Sequence, residues 1–401
     1  MRTVALVLAV ASTVLSTTPA YAEPVGKIVN AGSADAVSGS YLVVLKDGAP
    51  PDVAAKYGAQ VLERFSSALP AVLVAADEEQ ARQLAADPSV RFVEQNTKVH
   101  SASHDQLPRS AAAHSATAAG AGVAPAASAV PCGLDRLDQV SLPLDGVYRY
   151  PQSAGAGVNV YLVDSGIDYR HPDLAPRAKA GFDAFGGDGS DQNGDGTAMA
   201  GVIAGTKYGV AKKATLISVK VLDADGGGTL AGVIAGLDWI TAHAKKPAVA
   251  NFVIGYTLSD ALDDAVRNSI ASGVTYVLSA GASTHDVSTT SPARVAEAIT
   301  VGSSDCADKV AAFSNYGAGL DLYAPGVDIP TDAPGGGITT QEGTNVSAAH
   351  ASGAAALYLS NNPRRTPAAV STALTTTALK NTLTGIPTPT TPNQLLHIPR
   401  R

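Results

Sequence analysis

Two positions in this chain combine a polar side chain with a backbone setting that suits chemistry, Asp164 and Asn345. Asp164 directly follows the apolar run VNVYLV, which predicts a buried strand, and ligands of parallel sheets bind beyond the carboxyl ends of the strands. Asn345 follows a Gly-Thr turn at the start of a run of small residues, which predicts a buried helix whose first N–H groups suit a reacting oxygen. An aspartate after a strand is also common in turns and N-caps, so topology alone leaves the role of Asp164 open.

The composition of the chain excludes several classes of partner. Its 401 residues are 45% hydrophobic and 16% charged, with a formal net charge of −7. This length allows two or three domains with a sizeable core. Because no basic excess is present, we expect neither nucleic acid nor a membrane surface as a partner. We expect a monomer.

The N-terminal segment has the pattern of an export signal. Met1 and Arg2 precede an apolar run at residues 4–15, and the small-residue motif Ala-Tyr-Ala ends at Ala22. The apolar run is shorter than the ~20 residues that a spanning helix needs, which disfavours the alternative of a membrane anchor. We therefore predict a signal peptide over residues 1–22, cleaved after Ala22, and a secreted, extracellular protein.

Residues 40–100 alternate strand and helix patterns and predict a small α+β domain. Residues 101–130 are rich in Ala and Ser without an apolar period, which predicts a flexible linker. A helical spacer is the alternative, and Gly120, Gly122 and Pro125 argue against a continuous one.

The rest of the chain predicts a parallel sheet covered by helices on both faces, because apolar strand patterns alternate with helix patterns. This α/β domain covers residues 132–380, and a Pro/Thr-rich, extended or loose tail covers residues 381–401. The predicted strands are 158–163, 216–222, 248–254, 275–279, 299–302 and 320–323; the predicted helices are 197–206, 229–243, 260–272, 345–360 and 367–377.

Six ordered sequence blocks carry a family resemblance. They are VNVYLVDSGID, NGDGTAMAGVIAGTKYGVAKKATLISVKVL, AVANFVIG, SPARVAEAITVGSSD, AFSNYGAGLDLYAPG and GTNVSAAHASGAAALYL. Together they resemble the subtilisin-like serine proteases, in the proteinase K branch. Residues 40–100, with SYLVVLKD and DPSVRFVEQ, resemble the inhibitory propeptide of those enzymes. The resemblance implies a parallel, doubly wound α/β fold and a secreted zymogen of the serine hydrolases that carry out proteolysis.

The resemblance also places the catalytic positions of the family on this chain. Those enzymes use a Ser–His–Asp triad and an Asn side chain that donates to the oxyanion. The triad acid matches Asp164. The block at the family's histidine is DGTA, which puts Asp195 at the base position; GTNVS puts Asn345 at the nucleophile position, and SAGA puts Ala282 at the oxyanion position.

These replacements predict a loss of catalysis. An amide nitrogen is not nucleophilic, so Asn345 forms no acyl-enzyme. Asp195 has the wrong resting charge to act as an imidazole base, and beside Asp164 it forms a like-charge pair that raises the proton affinity of one carboxyl. Ala282 has no donor for an oxyanion. We therefore expect an inactive homologue that binds a peptide or a protein as a decoy, a carrier or an inhibitor-binding scaffold; the sequence does not choose among these.

An enzyme with another catalytic arrangement is the alternative. In that case the chain is a secreted serine-type endopeptidase of the same family. Ser347 lies about 200° around the helix from Asn345 and should point elsewhere. His171 and His350 match family positions that are not catalytic, so we expect structural roles for them. A product without a selected role is the third possibility.

The resemblance implies a groove for an extended peptide, lined by Gly227, Val253 and Gly255. A peptide strand, including the chain's own propeptide-like domain, can pair there by backbone hydrogen bonds independently of catalysis. Tyr256 replaces a glycine of the family pattern and narrows the groove, so a blocked groove is the alternative.

One metal site and one cysteine pair complete the expectations. Asp321 matches a calcium-ligating aspartate of the proteinase K branch, whose partners would be the backbone carbonyls of Ala296 and Ala298 with water. The two cysteines, Cys132 and Cys306, would oxidise in an exported protein if they meet, and the sequence leaves open whether they form a disulfide or two buried thiols.

Overall fold

A computed structural model describes residues 26–50, 52–101, 130–255 and 257–399. The predicted signal peptide, nearly all of the predicted linker and Tyr256 lie outside these residues. Within the described ranges, no helix has the length and apolar character needed to cross a bilayer.

The N-terminal part folds around a sheet with the strand order β1-β5-β2-β4-β3. Alternate residues of β2 face opposite sides: Val43 packs in the small core of this part, whereas Leu42 and Val44 pack against the large part of the chain. This alternation is the period of two that a strand imposes. The elements are β1 (Ile28–Val29), β2 (Ala36–Leu45), α1 (Val53–Lys56), β3 (Gln60–Phe65), β4 (Ala71–Ala75), α2 (Glu78–Ala86) and β5 (Val90–His100).

The larger part is built on a nine-stranded sheet with the order β16-β17-β13-β12-β11-β10-β6-β8-β7, parallel except for the β16–β17 pair. Its strands are β6 (Asn159–Asp164), β7 (Ala178–Asp183), β8 (Thr215–Lys220), β10 (Ala248–Phe252), β11 (Thr275–Ser279), β12 (Ile299–Ser304), β13 (Leu322–Pro325), β16 (Leu379–Lys380) and β17 (Gln394–Leu395). A hairpin, β14 (Ile329–Ala333) and β15 (Gly337–Gln341), lies outside the sheet, and β9 (Gly227–Thr229) pairs with the N-terminal part.

Helices cover both faces of this sheet, which confirms the predicted α/β class. Val160 and Leu162 of β6 pack in the core on one face, and Tyr161 and Val163 pack in the core on the other. The helices are α3 (Cys132–Asp138), α4 (Asp195–Ala204), α5 (Leu230–His243), α6 (Asp260–Ala271), α7 (Thr344–Asn361) and α8 (Pro367–Thr377).

Helix α7 is the buried, small-residue helix that the sequence predicts. Ala349 and Ala355 are fully buried within the main core. A Cβ atom placed on Gly353 would lie 2.5 Å from Cβ of Val210, so the glycine allows a contact that any side chain would prevent. The helix therefore packs closely on its neighbours on every side.

The two parts are joined by polar groups that meet helix ends and loops. The buried Glu94 of β5 accepts a hydrogen bond from an N–H in the first turn of α6 (3.2 Å), and Asn96 accepts one from the first turn of α5 (3.1 Å). In the other direction, Asp238 of α5 accepts N–H groups of residues 66–68, the shortest at 2.6 Å. These contacts satisfy N–H groups of two helix N-termini and of one loop at the interface.

Three parts of the fold differ from the sequence expectation. Strand β7 and the hairpin β14–β15 were not predicted. The tail, predicted as extended or loose, contributes β17 to the sheet, and Leu395 and Leu396 are fully buried. The described part of the tail is therefore extended, one of the two alternatives, but packed rather than loose; two apolar residues are too few to show a strand period in the sequence.

The cysteine pairing that the sequence left open is a disulfide. Cys132 and Cys306 are bonded, with their Cα atoms 6.1 Å apart. Nearby, the fully buried Arg136 of α3 forms a salt bridge to Asp308 (2.6 Å). Helix α3 is therefore attached twice to the loop that follows β12.

Candidate functional site

Asp164 is the last residue of β6, at the carboxyl edge of the parallel sheet. Its side chain is buried, with 1% of the residue exposed. One carboxylate oxygen accepts the N–H of Ser165 (2.6 Å), and no hydrogen-bond donor of the described residues reaches the other. Burial and, after it, the neighbouring charge of Asp195 raise the pKa of Asp164 well above its ordinary value. Of the two carboxyl groups in the expected like-charge pair, Asp164 is therefore the one whose pKa is raised.

Asp195 lies beside Asp164 because helix α4 begins against the turn that follows β6. The helix starts after Gly194, whose φ of 113° is a conformation that favours glycine. The N–H of Gly196 donates to Oγ of Ser165 (3.0 Å), and a Cβ atom on Gly196 would lie 2.0 Å from the carbonyl oxygen of Gly166. Only glycine permits this approach, so the first turn of α4 holds the half-buried Asp195 next to the strand end.

Asp191 organises this junction, and sequence analysis missed it. One of its oxygens accepts Oγ of Ser165 and N–H of Gly194 (both 2.9 Å), and the other accepts the N–H of Thr197 (2.9 Å). The available signal was an aspartate four residues before a helix start, in a run of Asn and Gly that predicts a turn. The Nζ of the buried Lys220 donates to the carbonyl of Ser165, so the turn is held from both sides.

Asn345 lies in the first turn of α7, which begins after Gly343 with a φ of 143°. Asn345 is 6% exposed, and its side-chain oxygen accepts the N–H of Val346 (3.0 Å). The neighbouring Thr344 positions Ala282 through the residue before it, because Oγ1 of Thr344 accepts the N–H of Gly281 (3.1 Å). The loop that carries Ala282 is therefore attached to the start of the helix that carries Asn345.

The four predicted site residues form two pairs at the carboxyl edge of the parallel sheet. Asp164 and Asp195 lie together, and so do the segments of Ala282 and Asn345. Helices α4 and α7, which begin at the two pairs, pack against each other. The side chains at these four positions are two carboxylates, an amide and a methyl group, so none of them supplies a hydroxyl nucleophile or an imidazole.

Asn315 shapes the loop of Ala282 and was also missed. Its side-chain oxygen accepts the N–H groups of Ser283 (3.0 Å) and His285 (2.9 Å), and its Nδ2 donates to the carbonyl of Ala280 (2.8 Å). One amide side chain thus satisfies three backbone groups of this loop. Asn315 lies in the block AFSNYGAGL, which the sequence analysis used only for the family resemblance and not to assign a role to this residue.

The chain's own strand β5 lies along the predicted groove. It pairs antiparallel with β9, with His100 opposite Gly227 and Val99 opposite Gly228. Beyond the strand, the N–H of Ser101 donates to the carbonyl of Gly226 (2.8 Å), and Oγ of Ser101 donates to the Asp195 carboxylate.

The other two predicted groove residues differ in their surroundings. Val253 is only 6% exposed and packs in the main core, so its side chain contributes to the core rather than to an open groove wall. A Cβ atom on Gly255 would meet no atom within 4 Å, so space adjoins that backbone position.

Asp321 directly precedes β13, and its carboxylate accepts the N–H of Thr300 (2.8 Å). Burial raises its pKa to about 6. Ala296 and Ala298 lie in the segment that leads to β12. In the described ranges, no group of three or more His, Cys, Asp or Glu side chains is placed to hold a metal ion. A cation here would depend on one carboxylate, backbone carbonyls and water, oxygen ligands of the kind that calcium prefers.

The buried histidines have structural surroundings. Nδ1 of His350 lies 2.9 Å from the carbonyl of Pro325, and burial lowers the pKa of His350 to about 4. His171 contacts the carbonyl of Gly337 (3.2 Å) and the Asp332 carboxylate (3.8 Å) in the region of the hairpin. Neither contact involves a predicted site residue.

The parallel sheet covered by helices, with the site residues at its carboxyl edge, defines an α/β protein of the subtilisin type. Residues 155–397 match the model of the subtilase family, so the chain belongs to the subtilase family of serine proteases, as the sequence blocks predict. A crystal structure of a cold-adapted subtilisin-like serine proteinase is similar, with a TM-score of 0.66 and 41% identity; the match covers 68% of this chain and 99% of that one.

Two curated relatives are also similar to this chain. It is 43% identical over 346 residues to an extracellular serine proteinase of Thermus sp. (strain Rt41A), a match that covers 85% of this chain and 78% of the relative. It is 39% identical over 316 residues to alkaline serine exoprotease A of Vibrio alginolyticus, covering 78% of this chain and 56% of that protein.

The raised pKa of Asp164 predicts a pH-dependent stability. As pH rises above the ordinary carboxyl pKa of 3.8, the unfolded chain releases this proton while the folded chain retains it, so Asp164 lowers the free energy of unfolding. In Asp164→Asn this loss is absent. We expect the variant to gain stability relative to wild type with increasing pH, by at most a factor of about ten in the unfolding equilibrium constant per pH unit above pH 4.

Urea unfolding of both proteins between pH 4 and pH 8 measures this difference. Asp191→Asn is a poor control because its oxygens bind backbone groups, whereas Asp225→Asn changes an exposed carboxyl elsewhere and should give curves parallel to wild type. Parallel curves for Asp164→Asn and wild type would contradict the electrostatic description of the site.

Proposed function

We propose that this chain is a secreted pseudoprotease, a subtilase that holds an extended peptide or protein segment without hydrolysing it. One observation carries the proposal. The positions that match the family's nucleophile and general base hold Asn345 and Asp195, and the position of the oxyanion donor holds Ala282.

The surroundings of Asn345 support the loss of acyl transfer. An amide nitrogen has no nucleophilic lone pair to attack a carbonyl, and the side-chain oxygen of Asn345 already accepts a backbone N–H. A hydrolytic step would need an activated oxygen at this place. Ser347, two residues further along, donates its hydroxyl to the carbonyl of Gly343 (3.3 Å), so it is oriented back along the helix.

The surroundings of Asp195 support a binding role at the base position. A base must accept a proton from a nucleophile and return it to the leaving group. Asp195 instead receives the hydroxyl of Ser101, a residue of the segment that occupies the groove. The chain's own propeptide-like part is thus the first partner of this site, and any other peptide or protein partner would have to take its place.

Export is part of the proposal. Residues 1–22 have the signal-peptide pattern, and relatives are named an extracellular proteinase and an exoprotease. A bonded cysteine pair agrees with an oxidising compartment.

A secreted endopeptidase is the second candidate function. It is favoured by the relatives, which are named as proteinases, and by the retained triad acid Asp164 in a well-packed framework. It would require a catalytic arrangement other than the family triad.

The two candidates differ in self-processing and in reactivity toward a fluorophosphonate probe. We expect the wild-type chain to show neither labelling nor casein cleavage, since removal of the nucleophile or the base in subtilisin itself lowers kcat by roughly 10⁶. The matched control is the full chain with Asp195→His, Ala282→Asn and Asn345→Ser together. This variant should label, release its propeptide-like part and digest casein.

Adding Asp164→Asn to the triple variant should abolish that activity, which assigns it to the restored triad. Because wild type and triple variant carry the same groove occupant at the start, occlusion of the groove alone does not explain a difference between them. Labelling or turnover by the wild-type chain, lost on Asp164→Asn, would establish the endopeptidase instead.

The absence of self-cleavage predicts the form of the secreted protein. We expect residues 40–100 to stay covalently attached through the Ala/Ser-rich segment 101–130, because cutting that segment requires a nucleophile. Intact-mass analysis of protein secreted by a protease-deficient host should give one species that begins near residue 23. A homogeneous product that begins near Cys132 would contradict the proposal.

We also propose that Asp321 binds calcium together with the carbonyls of Ala296 and Ala298. Calcium should raise the melting temperature of the wild type, by an amount that follows ligand mass action. Because the pKa of Asp321 is about 6, protons should compete with the ion and the shift should shrink below pH 6. Asp321→Asn should lose the shift and Asp225→Asn should retain it; equal shifts in both variants would argue against this site.

A further inference from the structure

Ser101 occupies a defined place at the end of the strand that fills the groove. It is 6% exposed, and its N–H bond to Gly226 continues the pairing of β5 with β9. Gly226 has a φ of 74°, and a Cβ atom on it would lie 3.4 Å from Cβ of Ser101. The backbone register, rather than a flexible side chain, therefore brings the hydroxyl of Ser101 to Asp195.

The receiving side of this contact is the Asp195 carboxylate. Asp195 accepts the Ser101 hydroxyl, whereas its buried neighbour Asp164 favours the protonated form and does not add a second negative acceptor. Asp191, the next carboxylate, is already saturated by backbone N–H groups and by the hydroxyl of Ser165. An ionised carboxylate only accepts hydrogen bonds. A ligand side chain that donates a hydrogen bond therefore binds better beside Asp195 than one that does not.

A side chain without a donor would cover this half-buried carboxylate without giving it a hydrogen bond from the strand. Leaving a buried polar group unsatisfied destabilises a complex more than a normal hydrogen bond stabilises it, and the effect is larger for a charged acceptor. The histidine of the family pattern has a neutral form with both a donor and an acceptor nitrogen, whereas aspartate offers acceptors alone. The replacement thus changes what the site can recognise.

We propose that Asp195 is a specificity residue of the groove: it selects, for the strand that pairs with Gly227–Thr229, a residue with a hydroxyl group at the register position of Ser101. The ligand class is an extended peptide segment with Ser or Thr at that position and an apolar residue two positions earlier, where Val99 is buried against Gly228. The segment of residues 98–101 is the resident member of this class. The inference rests on the proposed binding function, whose groove it describes in more detail.

Position 101 of the full chain tests the selection directly. Ser101→Thr and Ser101→Val have the same shape, and only the first has a hydroxyl, so any crowding against Gly226 is equal in both. Amide hydrogen exchange of residues 98–101 reports how often the strand opens. We expect the Val variant to exchange about tenfold faster than the Thr variant, the effect of one charge-assisted hydrogen bond.

The same pair of substitutions in an Asp195→Ala background isolates the contact, since Asp195 has other interactions that a single substitution would also remove. There we expect the ratio of exchange rates to fall to about one. In an Asp225→Ala background, which removes an exposed carboxyl from the turn before β9, the ratio should stay near tenfold. Melting temperatures of all variants confirm that the comparison is made on folded protein.

Equal exchange in the Thr and Val variants would overturn the proposal, and so would a ratio that persists in the Asp195→Ala background. Exchange is measured without any substrate turnover, so its outcome is separate from the test of inactivity. A chain that hydrolyses casein but shows the Thr/Val difference refutes only the pseudoprotease function. An inactive chain without the difference refutes only this inference.

Discussion

The first turn of helix α4 lies so close to the turn after β6 that a Cβ atom on Gly196 would overlap the carbonyl of Gly166. This approach places residue 195 beside the buried Asp164, whatever side chain residue 195 carries. In the family pattern that place holds a histidine, and the same backbone would present its imidazole to the acid. Here it presents a second carboxylate, and burial with this neighbouring charge favours the protonated form of Asp164. A geometry that suits proton transfer thus becomes one that suits the binding of a donor.

The second consequence of the architecture is that the groove edge is filled by the chain itself. Strand β5 continues the small sheet across to β9, and the interface buries Glu94 and Asn96 and includes the carboxylate contacts of Asp238. A segment tethered in this way competes at a high effective concentration against any partner in solution. The hydrophobic face formed by Leu42 and its neighbours adds apolar burial to these polar contacts. Any partner that binds the groove edge must therefore displace the chain's own strand β5.

Much of the fold was predictable from local patterns. The strand 275–279 and the helix 367–377 match Thr275–Ser279 and Pro367–Thr377, because long apolar or capped segments show their period clearly. The hairpin β14–β15 was missed since its exposed positions carry Gly, Ile and Thr without a regular apolar alternation. Asp191 and Asn315 were missed for a different reason: their roles consist of hydrogen bonds to backbone groups, which residue type alone does not reveal.

The sequence by itself determined the chemical groups at the site, and with them what the site lacks: at Asn345, Asp195 and Ala282 the side chains carry no attacking oxygen, imidazole or oxyanion donor. The tertiary structure decided which groups meet. It joined Cys132 to Cys306 across 174 residues, drew the tail into the sheet, and brought the hydroxyl of Ser101 to Asp195, 94 residues further along the chain. Local patterns report the neighbours of a residue along the chain, whereas such contacts arise only when packing closes the long loops between them.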